Sequence, residues 1–310
     1  MDFGRDADLE FRSDPLTPYV LLSLERTHHV AESHVTALHL ALRRHLNLIQ
    51  ERSANVLRTN VESLKSWAQC RVQCQLSSED PLARYLSIRR LELPSIISTT
   101  PASASALAGR TWTELRRDAV LSAAFDKHMI ARSIRHLDLP PLQPCAPLVV
   151  DIGGGPGHYA AAIMERLSTS WRCIILDNYE QAGWHAQSQI PPQQLRVKIS
   201  RSWPALPQGA GLYIIASVIH NLDDTAALQL LRSCVRAATS RSQVLLIERT
   251  WDPSSLSDSS RDLDMQILFG GKERTDQELL ALLKASGLHA VTKYDTDDNY
   301  RIITAKPASS

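Results

Sequence analysis

The fold class this sequence predicts is α/β, a doubly wound and mostly parallel sheet of seven strands with an all-helical region ahead of it. Three observations predict it. The run Leu148-Val149-Val150-Asp151-Ile152 ends in Gly153-Gly154-Gly155-Pro156-Gly157, and a helix-compatible stretch follows from Tyr159. A strand, a glycine turn and a helix start bring bare backbone N–H groups against a ligand. Apolar runs and helical patterns then alternate to the end of the chain, as parallel strands with crossover helices require. The last two runs flank Asp295-Thr296-Asp297-Asp298-Asn299, a turn-rich segment that predicts an antiparallel hairpin.

In chain order, residues 1–20 are polar, carry Pro15 and Pro18, and read as a loose arm. No glycine lies between Gly4 and Gly109, and no proline between Pro18 and Pro81. Val35, Leu38, Leu42, Leu46 and Ile49 share one helical face there, and Leu57, Val61, Leu64 and Ala68 continue the pattern, which predicts long amphipathic helices. Residues 81–108 are rich in Pro, Ser, Thr and Ala and read as a connecting stretch. A second helical block runs from Thr111 to His136 with Trp112, Leu115, Val120, Leu121, Phe125, Met129 and Ile130 at helical spacing. Strands are then expected at Leu148–Ile152, Cys173–Leu176, Leu195–Ile199, Leu212–Ile219, Val244–Ile247, His289–Tyr294 and Tyr300–Thr304. Helices are expected at Tyr159–Leu167, Thr225–Ala238 and Asp276–Ala285. The domain division that follows is 1–108 for a helical N-terminal region and 109–310 for the α/β domain.

Composition narrows the class. With 44% hydrophobic and 22% charged residues the chain is that of a soluble globular protein. A net charge of +1 gives no electrostatic case for nucleic acid or an anionic membrane, and basic residues cluster only in short pairs such as Arg43-Arg44, Arg89-Arg90 and Arg116-Arg117. No apolar run approaches the roughly 18 residues of a membrane span, and the polar, acidic start does not read as a secretion signal. Cys70 and Cys74 lack a second pair for zinc, and five scattered cysteines read as reduced thiols in a cytoplasmic protein. His28, His29, His34, His39 and His45 lack acids or cysteines at ligand spacing, so they read as solvated or interfacial and no metal is expected.

The chemistry gathers beyond the C-terminal strand ends, where ligands of such sheets sit. Gly153, Gly155 and Gly157 allow a tight turn and close ligand approach. Asp177 ends the second strand about 20 residues on, placed to accept two hydrogen bonds from a ribose diol. His220, in Ser217-Val218-Ile219-His220-Asn221-Leu222-Asp223-Asp224, follows another apolar run. A neutral imidazole there is suited to take a proton from an attacking hydroxyl, although a strand-end histidine serves structure as readily. Glu248 ends the next strand, where a carboxylate could hold that imidazole in one tautomer.

The glycine turn resembles motif I of S-adenosylmethionine-dependent methyltransferases, and Asp177 their ribose-binding acid. From about Gly109 to Pro307 the chain resembles the bacterial, fungal and plant small-molecule O-methyltransferases with a winged-helix dimerisation domain. The resemblance rests on Gly109-Arg110-Thr111-Trp112-Thr113-Glu114-Leu115, Phe125-Asp126-Lys127-His128-Met129, the glycine turn and His220-Asn221-Leu222-Asp223-Asp224. It also rests on Asp262-Leu263-Asp264-Met265 and Leu268-Phe269-Gly270-Gly271-Lys272-Glu273-Arg274-Thr275. It implies a Rossmann-like class I methyltransferase domain that binds S-adenosylmethionine through Asp151, Gly153, Gly155, Gly157, Asp177, Arg201, Ser202, Trp203 and Ser217. It implies His220 as general base flanked by Glu248 and Glu273, and Phe125, Met129, Met265 and Asn221 around the acceptor. The activity implied is methyl transfer to a hydroxyl of a small aromatic or polyketide-like metabolite, in a homodimer joined through the N-terminal helices.

This chain also departs from the family pattern. Ser200-Arg201-Ser202-Trp203 stands where Gly-Asp-Phe-Phe is usual, so the acid facing the adenine edge is replaced by a donor, Arg201, while Trp203 can stack. Ala216 takes the place of a frequent basic residue, and His220-Asn221-Leu222 that of His-Asp-Trp. Two alternatives follow. One is an enzyme of the same fold that no longer methylates and performs cyclase, pericyclase or hydroxylase chemistry. The other is a non-catalytic scaffold acting through the helical region.

Overall fold

The computed structural model describes residues 80–86, 89, 110–133, 142, 145–200, 205–252, 261–262, 264–265, 268–296 and 300–308. The expected helices over 35–68, the five histidines near them, Cys70 and Cys74 and the helical character of most of residues 1–108 lie outside the described residues, as do Arg201, Ser202 and Trp203. The described residues fall into two compact units. One is Arg116–Thr250 with Gly271–Ser310; the other holds the described residues before 116 and those within Trp251–Gly270.

The first unit is a seven-stranded sheet. Its strands are β1 (Leu148–Ile152), β2 (Arg172–Asp177), β3 (Leu195–Ile199), β4 (Leu212–Ala216), β5 (Gln243–Arg249), β6 (Leu288–Asp295) and β7 (Tyr300–Pro307). They lie in the order β3-β2-β1-β4-β5-β7-β6. The pairs among β1 to β5 are parallel, while β7 runs antiparallel to both β5 and β6. The strand order reverses at β1, whose neighbours are β2 and β4. In an open parallel sheet the crevice at such a reversal is where a ligand sits.

The helices are α1 (Ala119–Ser133), α2 (His158–Met164), α3 (Trp184–Gln189), α4 (Asp224–Ala237) and α5 (Asp276–Ser286). Two apolar layers coat the sheet. Val149, Cys173, Ile175, Leu212, Ile214, Leu245 and Ile247 pack with Ile163 and Ala186 on one side. Val150, Ile152, Leu176, Tyr213, Ile215, Val244 and Leu246 pack with Leu230, Leu231, Leu279 and Leu283 on the other. Alternate residues of each strand therefore enter opposite cores, which is why these strands read as unbroken apolar runs. Burying one such side chain contributes about 1.5–3 kcal/mol.

Four local differences from expectation have physical reasons. Residues 81–86 are helical, not connecting chain. Asp80 accepts the Leu82 N–H at 2.9 Å, and Pro81 occupies the first helical position, where no donor is lost. The block from Thr111 breaks at Asp118, whose Oδ1 accepts the Val120 and Leu121 N–H groups at 2.9 and 3.0 Å and so starts α1 afresh. The strand expected to reach Ile219 stops at Ala216, because Ser217 adopts φ 54° and a 3-10 turn, Ile219–Asn221, follows. The short α3 was not legible; Gly183, at φ 76°, caps it without a side-chain signal.

In the second unit the Tyr85 hydroxyl donates to the Thr111 carbonyl at 2.8 Å, Arg89 pairs with Glu114, and the Trp112 and Phe269 rings meet at 4.9 Å. Among the described residues no helix is long and apolar enough to cross a membrane.

Candidate functional site

The glycine turn joins β1 to α2. Gly157 sits at φ 85°, and a Cβ there would fall 2.6 Å from the Ala186 methyl and 2.7 Å from Ile175 Cδ1. A side chain at this position would force α3 off the sheet as well as strain the backbone. Gly155, at φ 55°, has no atom within 4 Å of where its Cβ would be. Its face of the turn is therefore open.

Asp177 ends β2 beside that open face. Its Oδ2 accepts the Gly155 N–H at 2.8 Å, and Oδ1 accepts the Asn178 N–H at 2.6 Å. Burial pushes its pKa up, and the two N–H donors and the Arg116 guanidinium oppose that rise. Asp151 lies deeper, 1% exposed, and neither carboxylate oxygen makes a hydrogen bond of normal geometry, the Ala160 N–H being the backbone donor that acts on its charge. Burial, with the charge of Asp177 adding to it, lifts its pKa to about 7. Ser217, past the end of β4, is the one described non-glycine residue at positive φ, and its buried Oγ is also without a partner. A strained backbone and two orphaned polar groups around one turn are features that ligand sites carry at a cost in stability.

His220 sits in the 3-10 turn after β4. Its Nδ1 lies 3.6 Å from Glu248 Oε2 and 3.5 Å from Glu273 Oε1. Glu248, from the end of β5, uses its Oε1 to accept the Val218 and Ile219 N–H groups at 2.8 and 2.6 Å. The carboxylate so braces the turn carrying the histidine as well as facing its ring. Glu273 lies just past a close contact, since a Cβ on Gly271 would fall 2.1 Å from the His220 carbonyl oxygen. Burial pulls the His220 pKa down, but the charges of Glu248 and Glu273 outweigh it, and the net position is about 9. The two carboxylates thus favour the imidazolium over the neutral ring that an ordinary histidine carries near pH 7. Burial likewise raises the Glu248 pKa.

The structure brings Asp151, the three glycines, Asp177, Ser217, His220, Glu248 and Glu273 to one edge of one unit. Asn221 is partly committed: its Nδ2 donates to the Ser217 carbonyl at 3.2 Å, and its buried Oδ1 has no partner. Phe125 and Met129 are half-buried on α1, and the Arg116 guanidinium lies 4.7 Å from the Phe125 ring centroid. Met265 belongs to the other unit.

Sequence reasoning missed a cluster beside Asp177. Asp126, 3% exposed, accepts from Arg116 Nη1 at 2.7 Å, the Trp184 Nε1–H at 2.8 Å and the Tyr179 hydroxyl at 3.3 Å. Arg116 also stacks 4.0 Å from the Tyr179 ring. The one signal was Asp126 itself, a carboxylate inside the apolar face of a helix. His158 was missed too; it is buried with both ring nitrogens unpaired, and burial, then the charge of His185, lowers its pKa to about 3.

Comparison with known proteins agrees with this architecture. The family model for the O-methyltransferase domain matches residues 109–289. The chain is 33% identical over 177 residues to an O-methyltransferase, penK, of Penicillium thymicola, covering 53% of this chain and 41% of that protein. It is 34% identical over 190 residues to a 2,7-dihydroxy-5-methyl-1-naphthoate 7-O-methyltransferase of Streptomyces carzinostaticus, covering 57% of this chain and 54% of that one. The chain thus spans about half the length of these curated relatives. Among solved structures, an O-methyltransferase of neocarzinostatin biosynthesis in complex with S-adenosylmethionine and 2-hydroxy-5-methyl naphthoic acid superposes with a TM-score of 0.61. That match has 23% identity and covers 96% of this chain and 98% of that one, which establishes the shared fold.

Proposed function

The chain belongs to the O-methyltransferase domain family, and on that premise we propose that it transfers a methyl group from S-adenosylmethionine to a hydroxyl of a small aromatic or polyketide-like metabolite. The observation that carries this reading is His220 set between two carboxylates at the same sheet edge as the open glycine turn.

The residues present fit the cofactor. Asp177 has lone pairs left for a ribose diol after accepting two backbone N–H groups. The orphaned Asp151 carboxylate and Ser217 hydroxyl suit a ligand that carries a cationic amino group and hydrogen-bonding edges. When bound, S-adenosylmethionine supplies an electrophilic methyl on a sulfonium. Arg201, Ser202 and Trp203 would meet its adenine end.

His220 removes the acceptor's proton. Its Nδ1 is buried against Glu248 and Glu273, which leaves Nε2 to face a hydroxyl. A conjugate-acid pKa of about 9 nearly matches that of a phenol, about 10, so the proton moves at a cost of roughly 1.4 kcal/mol. Both carboxylates stabilise the imidazolium as it forms. The rest of the rate comes from holding the oxygen in line for attack. Phe125, Met129 and Asn221 would contact the acceptor, and two copies would join through the N-terminal region in a cytoplasmic homodimer.

The test is methyl transfer to a panel of hydroxynaphthoates and polyketide phenols, followed as S-adenosylhomocysteine formed. His220→Gln should lose about 10²–10⁴-fold in kcat with cofactor affinity unchanged. A variant that methylates at the wild-type rate would remove His220 from the mechanism.

A further inference from the structure

Arg274 has the largest fully buried side chain among the described residues, 1% exposed. A guanidinium cannot shed its charge, so burial on this scale needs a partner for nearly every donor. It has them. Nη1 donates to the Ile219 carbonyl at 2.7 Å and Nη2 to the Leu222 carbonyl at 2.8 Å. Nε and Nη2 both donate to Asp224 Oδ1, at 3.0 and 2.9 Å, and Nη1 reaches the Lys272 carbonyl at 3.4 Å.

The two main-chain carbonyls are the informative part. Ile219 and Leu222 bracket His220 and Asn221, so one planar group grips the turn on both sides of the histidine. Arg274 is also the residue after Glu273, and Gly271 packs on the His220 carbonyl. The loop that delivers the second carboxylate is therefore fastened to the turn that delivers the imidazole. Thr250 and Arg274 are bridged in parallel, which joins this loop to the chain just past Glu248. The far end is fixed by the capping box of α5, where Thr275 and Glu278 cap each other.

We propose that Arg274 is the positioning residue of this site, holding the His220 imidazole in register with Glu248 and Glu273 and tempering the field those carboxylates impose on it. The inference rests on His220 being the base. The charged groups facing His220 are Glu248 from β5 and Glu273 and Arg274 from the 271–275 loop; Asp224 pairs with Arg274, and Lys272 pairs with Asp224 at 2.8 Å. Among the described residues Arg274 is the positive charge that acts on His220, and it opposes the glutamates' upward pull. A lysine would keep the charge but not the fork that spans two carbonyls.

Three variants test this. Arg274→Lys should lose about tenfold or more in kcat while the KM for both substrates stays within about twofold, the mark of a base held out of place. Arg274→Met should raise the pH at which His220 titrates, followed by NMR of labelled histidine and assigned by the signal missing from His220→Gln. Asp224→Asn should lower it, because Arg274 then keeps its charge with less compensation. Asp224 is 59% exposed in its side chain, so that variant folds even if Arg274→Met does not. A His220 titration that stays at the wild-type pH in Asp224→Asn, with kcat unchanged in Arg274→Lys, overturns the proposal. Those results with His220→Gln still inactive would sink only the role of Arg274; an active His220→Gln would sink the base reading instead.

Discussion

Replacing Glu273 by Gln removes one of the two charges that face His220 Nδ1 and keeps the side chain's shape. Glu273 Oε1 stands 3.5 Å and Glu248 Oε2 3.6 Å from that nitrogen. At such a distance, in an effective dielectric near 20, a pair of charges interacts by about 4–5 kcal/mol, or about 3 pKa units. Burial and Arg274 oppose both glutamates, and the net result is an imidazole at about 9 rather than 6.5. With Glu248 left alone against burial, the imidazole should fall by about 1 to 3 units. The assay is kcat/KM against pH, from about pH 5.5 to about 10, with a phenolic acceptor. Wild-type activity should climb roughly tenfold per unit until about pH 9, because about one molecule in a hundred carries a neutral His220 at pH 7. In Glu273→Gln the rise should end about 1 to 3 units lower, with a reduced plateau because the ring has lost one of its two guides. A limb that stays near 9, or moves up, refutes the electrostatic account of this histidine.

Stability should follow the same charge. The His220 pKa is raised on folding, so its contribution is fully present below about 6.5 and is lost as pH rises through about 9, up to about 3 kcal/mol in all. Melting temperatures of the wild type should therefore fall across that window more steeply than those of His220→Gln, and parallel curves would contradict this. The Asp151 shift has the same sign and a different origin: burial, not an ion pair, lifts this acid to about 7, which costs stability as pH rises from about 4 through 7. Asp151→Asn should accordingly melt higher than wild type at pH 8 and bind S-adenosylmethionine more weakly. A lower melting temperature there, with affinity unchanged, would mean that the carboxylate has a structural partner.

The sheet was legible because its central strands are buried on both faces, so their apolar runs stand out, and because the sheet edge follows from strand polarity. Asp177, His220 and Glu248 could each be located from the strand they end. Glu273 came from a motif, not from periodicity. What could not be read was anything made by convergence. Asp126 joins Arg116, Tyr179 and Trp184 only once α1, the β2 edge and α3 have come together, and α3 itself is too short to show a pattern. The basicity of His220 is not legible for the same reason: the ordinary pKa is a property of the residue, whereas the upward push on it comes from two glutamates on separate segments. Arg274 reads in sequence as a basic residue beside a helix start, and only the turn it grips gives it a task.

The measurement that bears most directly on the whole account is calorimetric titration of the wild type and Asp177→Ala with S-adenosylmethionine and S-adenosylhomocysteine. The wild type should bind both at micromolar affinity or tighter, and Asp177→Ala should lose about tenfold or more, because the ribose acceptor is gone. Wild-type protein that binds neither would contradict the methyltransferase reading and leave His220 without its proposed role.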